Sequence, residues 1–165
     1  MLAIAVLLAV VSLVGRWLGL DDQGRQRLGV PDWAGPARVI DGDSIVVDGI
    51  EVRLQGIDAP EGRQACRRQG KEWDCGEEAR RVLQKIIAGQ RVFCHALKED
   101  QHQRALAVCR VGDMELNREM VRQGFAVSYP SYRQEEHEAK AGKLGLWSGE
   151  FEQPRDWRRQ NGISN

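Results

Sequence analysis

The chain has 165 residues, with 24 basic and 24 acidic side chains and a formal charge of zero. That length supports one domain with a real core and leaves no room for two comfortable ones. The neutral balance argues against a coat-like nucleic-acid binder, which carries a basic excess, but not against an enzyme that grips a few phosphates locally.

Leu2 to Val14 is apolar apart from Ser12, and Arg16 is followed by Trp17, Leu18 and Leu20. The uninterrupted run is nearer a signal-peptide core than the roughly 20 residues of a spanning helix. No Lys or Arg precedes it, and no small-x-small cleavage site follows it. With Arg16 snorkelling, Leu2 to Leu20 could span a membrane with Trp17 at the interface. Residues 1–20 are therefore expected to be a signal or anchor segment, with an uncleaved anchor favoured over a cleaved signal. Arg16, Arg25 and Arg27 follow the run, against the positive-inside rule, and a missing upstream start would remove that conflict. Residues 21–36, polar and turn-rich with Pro31 and Gly35, read as a linker, and 37–160 as the folded domain.

From Arg38 strands dominate. Ile45, Val47, Ile50 and Val52 alternate around Asp48-Gly49, a hairpin signal because both turn positions need positive φ. A two-residue loop pairs Val47 with Ile50 and Ile45 with Val52, and puts all four on the core face. Ser44, Val46, Glu51 and Arg53 then share the other face, while Asp43 falls on the core side. Asp43 and Arg53 can meet only if the strand bends near Gly42 and Asp43, or if the loop differs by one residue.

Gly62 to Asp74 is a polar insertion. Glu77 to Ala88 carries a helical stripe, Ala79, Val82, Leu83, Ile86 and Ile87, ended by Gly89. Arg91 to Leu97 and Ala105 to Val111 read as a second hairpin centred between Gln101 and His102, which would set Cys94 opposite Cys109. Cross-strand neighbours at that spacing can meet disulfide geometry. Cys66 and Cys75 would close a short polar loop. Two local pairs, Cys66–Cys75 and Cys94–Cys109, with no C-x-x-C motif, fit an oxidising compartment better than zinc. Asn117 is expected to cap a second helix carrying Met120 and Val121 inward, and Arg133 to Lys140 to form a charged third. Leu144, Leu146, Trp147, Phe151 and Trp157 look like a tail packed back on the body. The order implies an α+β fold, a small barrel with helices on its flank.

Between Arg38 and Glu61 stand Asp41, Asp43, Asp58 and Glu61, with Arg53 among them. Carboxylates gathered where strands enter loops serve hard cations such as Ca²⁺, and an arginine among them suits a phosphate. Asp43 and Asp58 are the candidate metal ligands, Glu61 the general base that accepts a proton from water, and Arg53 the phosphate ligand. Arg104 is the candidate for a second arginine. These residues read as a metal-dependent phosphodiesterase. His95, His102 and His137 have no ligand-like spacing, and Trp33, Trp147 and Trp157 read as packing.

DGDS, VRLQGIDAPE and DQHQRALA resemble the staphylococcal nuclease-like (thermonuclease) family, whose pattern is DGDT, RL-x-G-I-D-x-P-E and D-x-YGR-x-LA. LNREMVRQGFA and the GLWSGEF…P…W ending resemble it too, so the likeness runs from about Ala37 to Trp157. It implies a five-stranded OB-type barrel with three flanking helices, and Ca²⁺-dependent hydrolysis of DNA and RNA. It also implies that Ala59 offers a backbone carbonyl to the metal, that Asp41 is a nearby carboxylate outside the direct ligands, and that Arg53 and Arg104 bind phosphate. Ser44 stands for Thr, His102-Gln103 for Tyr-Gly, and Gly62 to Cys75 is longer than the family archetype. The expectation is a monomeric, exported nuclease, either anchored in the cell envelope or periplasmic or secreted. Its main rival is a non-catalytic barrel that binds nucleic acid or protein in the envelope. A third reading is an envelope interaction protein whose acidic cluster is incidental.

Overall fold

The computed structural model describes residues 31–99 and 104–163. The expected segment 1–20 lies outside them, as do most of the expected linker and the loop residues His102 and Gln103. Residues from Trp33 onward form a compact unit. Its first strand, β1 (Trp33–Val39), begins inside the stretch expected to be linker. The reason is that Trp33 to Pro36 pair with a later strand, β7 (Arg91–Glu99), while Ala37 to Val39 pair with β2 (Ser44–Val47).

The first hairpin forms in the predicted register. In β2 and β3 (Ile50–Leu54), Ser44 faces Arg53, Ile45 faces Val52, Val46 faces Glu51 and Val47 faces Ile50. Asp48 and Gly49 have φ of 52° and 79°, the two positive values such a turn demands. Ile45, Val47 and Val52 are fully buried, but Ile50 is 41% exposed. It sits beside the turn, beyond the reach of the core.

β7 and β8 (Ala105–Val111) form the second hairpin, with Cys94 opposite Cys109 and the two joined by a disulfide. The register slips by one at a bulge between Ala96 and Lys98. β8 also pairs in parallel with β3, Val52 beside Ala105 and Arg53 beside Leu106. That pairing closes β3-β2-β1-β7-β8 into a five-stranded mixed barrel, with the short β9 (Met114–Glu115) added at β8. Closure leaves no open edge among the five strands. The short β4 (Ile57–Asp58) pairs outside it with β10 (Val127–Ser128).

Four helices are present among the described residues, one more than predicted. α1 (Cys75–Ile87) buries Ala79, Val82, Leu83 and Ile87, and ends in left-handed backbone at Ala88, one residue before the expected glycine. α2 (Leu116–Arg122) turns Met120 and Val121 inward. α3 (Arg133–Ala141) is charged and stops at Gly142. The unpredicted α4 (Pro154–Gln160) starts on a proline, which suits a first helical turn because its missing N–H needs no partner there. The polar insertion is ordered as well: β5 (Cys66–Arg68) and β6 (Lys71–Trp73) make a small hairpin, stapled to α1 by Cys66–Cys75. Its Arg67 exchanges backbone hydrogen bonds of 2.7 and 2.8 Å with Glu150 in the tail. Leu146 joins Cys66, Cys75 and Val127 in a second cluster, packed by Trp73, Trp147 and Phe151.

Asn117 is not a cap. It lies inside α2, fully buried, where its Oδ1 accepts from the Cys109 amide at 3.1 Å. Its Nδ2 donates to the carbonyls of Gln55 and Ala107, at 2.9 and 3.0 Å. One side chain thereby ties α2 to β8 and to the end of β3, where the barrel closes. Asn117→Ala is expected to lower the free energy of unfolding by roughly 2–4 kcal/mol, since it strands buried backbone groups. Urea unfolding measures this, and a loss below about 0.5 kcal/mol would place Asn117 among ordinary surface substitutions.

Candidate active site

The site is built where β2, β3 and β4 meet the loops that follow them. The bend that Asp43 requires is real. Ile40 and Asp41 both donate backbone N–H to the Ser44 carbonyl, at 2.9 and 3.3 Å, and fold residues 40–44 into a tight loop just before β2. Gly42 makes that loop possible: a Cβ there would lie 2.7 Å from the Cβ of Ala59 and 2.9 Å from that of Ala79. Asp43 therefore leaves the strand's alternation and swings its carboxylate towards Arg53, on the opposite face from Ile45.

Asp43 is 2% exposed and Asp58 5%. Asp43 Oδ2 accepts from Arg53 Nη2 at 3.0 Å and from the Ala59 amide at 2.9 Å, while Oδ1 accepts from the Ser44 hydroxyl at 3.1 Å. Arg53 Nη2 also reaches Asp58 Oδ1, at 3.0 Å. Asp41 supports the loop from inside, accepting the Asp43 amide at 3.0 Å. Ser44, which stands where the resemblance places Thr, uses its hydroxyl on Asp43.

Glu61 is brought in by a residue that the sequence reading left in the tail. Arg158 of α4 donates from Nη1 to Asp58 Oδ1 at 2.8 Å and to Glu61 Oε1 at 2.9 Å, and from Nη2 to Asp58 Oδ2 at 3.2 Å. The backbone around Glu61 is fixed as well. Its amide donates to Gln64 Oε1 at 3.3 Å, its carbonyl accepts from the Gln64 amide at 2.7 Å, and Gln64 Nε2 donates to the Glu152 carbonyl at 2.7 Å. Gly76, in the first turn of α1, passes so close that a Cβ would fall 1.7 Å from the Glu61 carbonyl oxygen. Only glycine fits there.

Asp43, Arg53, Asp58, Ala59 and Glu61 are thus brought together, with Asp41 behind them. Arg104 stands just before β8, next to the residue pair Val52–Ala105. Its recorded ion pair is with Glu51, at 4.0 Å, rather than with Asp43 or Asp58.

The electrostatics are those of an acid-rich pocket. Burial, and after it the charge of Asp43, pushes the Asp41 carboxyl from its ordinary 3.8 up to about 7. Burial also raises Asp58, against the hydrogen bond from Arg158 and the charge of Arg53. The Asp43 carboxylate, and less strongly Asp58, holds the Arg53 guanidinium above its ordinary value although burial opposes this. Arg158 is likewise raised: burial opposes its charge, and the hydrogen bonds to Asp58 and Glu61 outweigh it.

Residues 51–149 match the staphylococcal nuclease homologue family. The chain belongs to the staphylococcal nuclease family. It is 32% identical over 139 residues to a Haemophilus influenzae protein named as an uncharacterized endonuclease, covering 77% of this chain and 73% of that one. It is 37% identical over 130 residues to the probable endonuclease LCL3 of Verticillium alfalfae, covering 67% of this chain but only 44% of that protein. It is also 32% identical over 124 residues to the probable staphylococcal-like nuclease CAN3 of Oryza sativa subsp. japonica, across 71% of this chain and 30% of that protein. The chain therefore spans less than half the length of two of these three relatives.

Staphylococcal nuclease family members typically use Ca²⁺. Among the described residues no cluster of three or more His, Cys, Asp or Glu side chains is disposed as a metal cage. The Asp43 and Asp58 side chains offer hard oxygens, beside a third carboxylate, Asp41, which burial and after it the charge of Asp43 keep protonated to about pH 7. Such a set suits a hydrated divalent cation of the calcium type and not a soft metal.

Asp41 gives a pH dependence with a definite sign. Below about pH 4 it is protonated both folded and unfolded; between there and about pH 7 only the folded state keeps the proton, so stability falls as pH rises, and above that the full penalty applies. The metal-free protein is expected to lose thermal stability from about pH 4 to about pH 7, and Asp41→Asn to flatten that slope. Melting curves at two pH values check it; an unchanged slope in the variant would assign the effect to another group.

Proposed function

We propose that this chain is a Ca²⁺-dependent phosphodiesterase that hydrolyses DNA or RNA internally. The observation that carries the reading is the convergence of Asp43, Asp58, Glu61 and Arg53, from separate segments, into hydrogen-bonding contact in one pocket. Membership of a nuclease family supports the substrate class.

Asp43, Asp58 and the Ala59 carbonyl would hold the cation, with Asp41 adding negative charge behind them. When bound, that ion supplies charge neutralisation at a phosphoryl oxygen and a site to orient water. Glu61 takes a proton from the attacking water. The water oxygen forms its bond to phosphorus as the bond to the 5′ oxygen breaks, leaving a 3′-phosphate and a 5′-hydroxyl whose proton comes from solvent. Arg53, released from one of its two carboxylates, offers Nη2 to an equatorial oxygen, where positive charge is worth most in the transition state. Arg104, just before the strand that pairs with β3, is the second phosphate ligand, reached by a turn of its side chain away from Glu51.

The two disulfides point to an oxidising compartment. No helix among the described residues is long and apolar enough to cross a membrane. An exported nuclease, held by residues 1–20 or freed from them and acting as a monomer, is the proposal that agrees with both statements.

Plasmid degradation with Ca²⁺ and with chelator is the direct test. Cleavage is expected with Ca²⁺ alone, and Glu61→Gln should fold normally while losing about 10²–10⁴-fold in turnover. Arg104→Ala should lose about 3–4 kcal/mol of transition-state stabilisation. Full activity in Glu61→Gln would remove Glu61 from the role of base, and cleavage insensitive to chelator would remove the metal. Thiol counting on native protein should find none of the four cysteines reactive, and unfolding under reductant should show a loss of about 2–4 kcal/mol for each bridge.

A further inference from the structure

We propose that Arg158 is a positioning residue for the reaction: from α4 it holds the Glu61 and Asp58 carboxylates in one frame, so that the centre is complete only while the C-terminal helix is docked. The inference rests on the nuclease reading above and extends it to a residue some 97 positions from the base.

Arg158 is 7% exposed, rare for a charged side chain unless it is paired. The contacts of its guanidinium include two to Asp58 and one to Glu61, at 2.8 to 3.2 Å. A planar fork meeting two carboxylates fixes their spacing and their tilt together, which a single-point ammonium cannot do. Glu61 needs such a holder. Its side chain is 23% exposed, and the recorded side-chain ion pair that engages it is the one to Arg158. The loop beneath is tied to the same part of the chain, because Gln64 grips the Glu61 backbone with its own backbone and side chain and the Glu152 carbonyl with its Nε2. Side chain and loop of the base are thus both moored to the segment that enters and forms α4.

Arg53 does not duplicate this. Its Nη2 is shared between Asp43 and Asp58, 3.0 Å from each. Arg53 spans the pair of candidate metal ligands, whereas Arg158 spans a metal ligand and the base. The neighbouring Arg159 supplies the control: it lies on the same helix, its side chain is 74% exposed, and it pairs with Asp156 across one helical turn.

The test uses the full chain with Ca²⁺ and compares Arg158→Ala, Arg158→Lys and Arg159→Ala with wild type on a fluorogenic oligonucleotide. Arg158→Ala is expected to lose about 10- to 100-fold in kcat with little change in KM, as removal of groups that orient a reacting side chain does. Arg158→Lys should recover part of that loss, and Arg159→Ala should match wild type. A second readout needs no activity. In metal-free protein, amide exchange at Glu61 to Gln64 and in α4 should accelerate in Arg158→Ala while the barrel strands stay protected. Wild-type kcat in folded Arg158→Ala overturns the proposal, as does an equal loss in the Arg159 control. Exchange that rises uniformly across the barrel overturns it too, because it marks a purely structural ion pair. If Arg158→Ala does not fold, Arg158→Lys decides alone: reduced kcat at unchanged KM supports positioning, and wild-type kcat overturns it. Absence of Ca²⁺-dependent cleavage by the wild type would sink the nuclease reading itself, an outcome distinct from an active wild type with an active Arg158→Ala.

Discussion

Four carboxylates, Asp41, Asp43, Asp58 and Glu61, are crowded into a largely buried pocket, and two guanidiniums, Arg53 and Arg158, are the recorded side-chain cations against them. Buried charges of one sign are tolerated only when paired, so the pocket sets demands on the surrounding fold. Asp43 and Asp58 must come within reach of one arginine, Asp58 and Glu61 within reach of the other, and Asp41 keeps its proton up to about pH 7. Three ionised carboxylates against two guanidiniums leave the cluster with an excess of negative charge.

The barrel satisfies these demands through its closure. Arg53 projects from β3 because β3 is paired on both sides, with β2 antiparallel and with β8 parallel. The parallel contact is the costly one in loop-closure entropy, since it joins segments some fifty residues apart. Two devices hold it. The Cys94–Cys109 bridge fixes the hairpin in register, and Asn117 bonds β8, the chain just after β3 and α2 with a single amide. Stability and site geometry are therefore not separate here. The contacts that shut the barrel are also those that aim Arg53.

How much of this is legible in the residues divides along physical lines. Local periodicity and turn chemistry reveal the β2–β3 register, the Asp48-Gly49 turn and the cysteine pairs, because each depends on a few neighbouring residues. Alternation along a strand misplaces Asp43, because it counts residue 43 as part of the ladder. The 40–44 loop breaks the count, and the missing Cβ of Gly42 between Ala59 and Ala79 is its cause. Ile50 fails in a similar way: the face is right, but the hairpin end runs past the core. Asn117 looks like a cap because Asn favours caps, yet tertiary demand for a buried amide overrode that preference. Arg158 carries no local signal at all. Its neighbours predict a packed tail, and only folding brings it to carboxylates 97 and 100 positions away.

The insertion after Glu61 bears on whether a longer loop beside a carboxylate must loosen it. A flexible polar loop of that length would leave the carboxylate poorly held, at a loss in any reaction that depends on its placement. Here the extra residues do the opposite. They fold into β5 and β6, the Cys66–Cys75 bridge pins them to the start of α1, and Arg67 adds a backbone pairing with Glu150. Gly76 in the first turn of α1 packs on the Glu61 carbonyl, and Gln64 runs from the Glu61 backbone to Glu152. Insertion and tail thus share a second small cluster, Cys66, Cys75, Val127 and Leu146, to which α1 contributes only its first residue while Ala79, Val82, Leu83 and Ile87 pack in the main core. Added length next to Glu61 is thereby turned into a clamp on it.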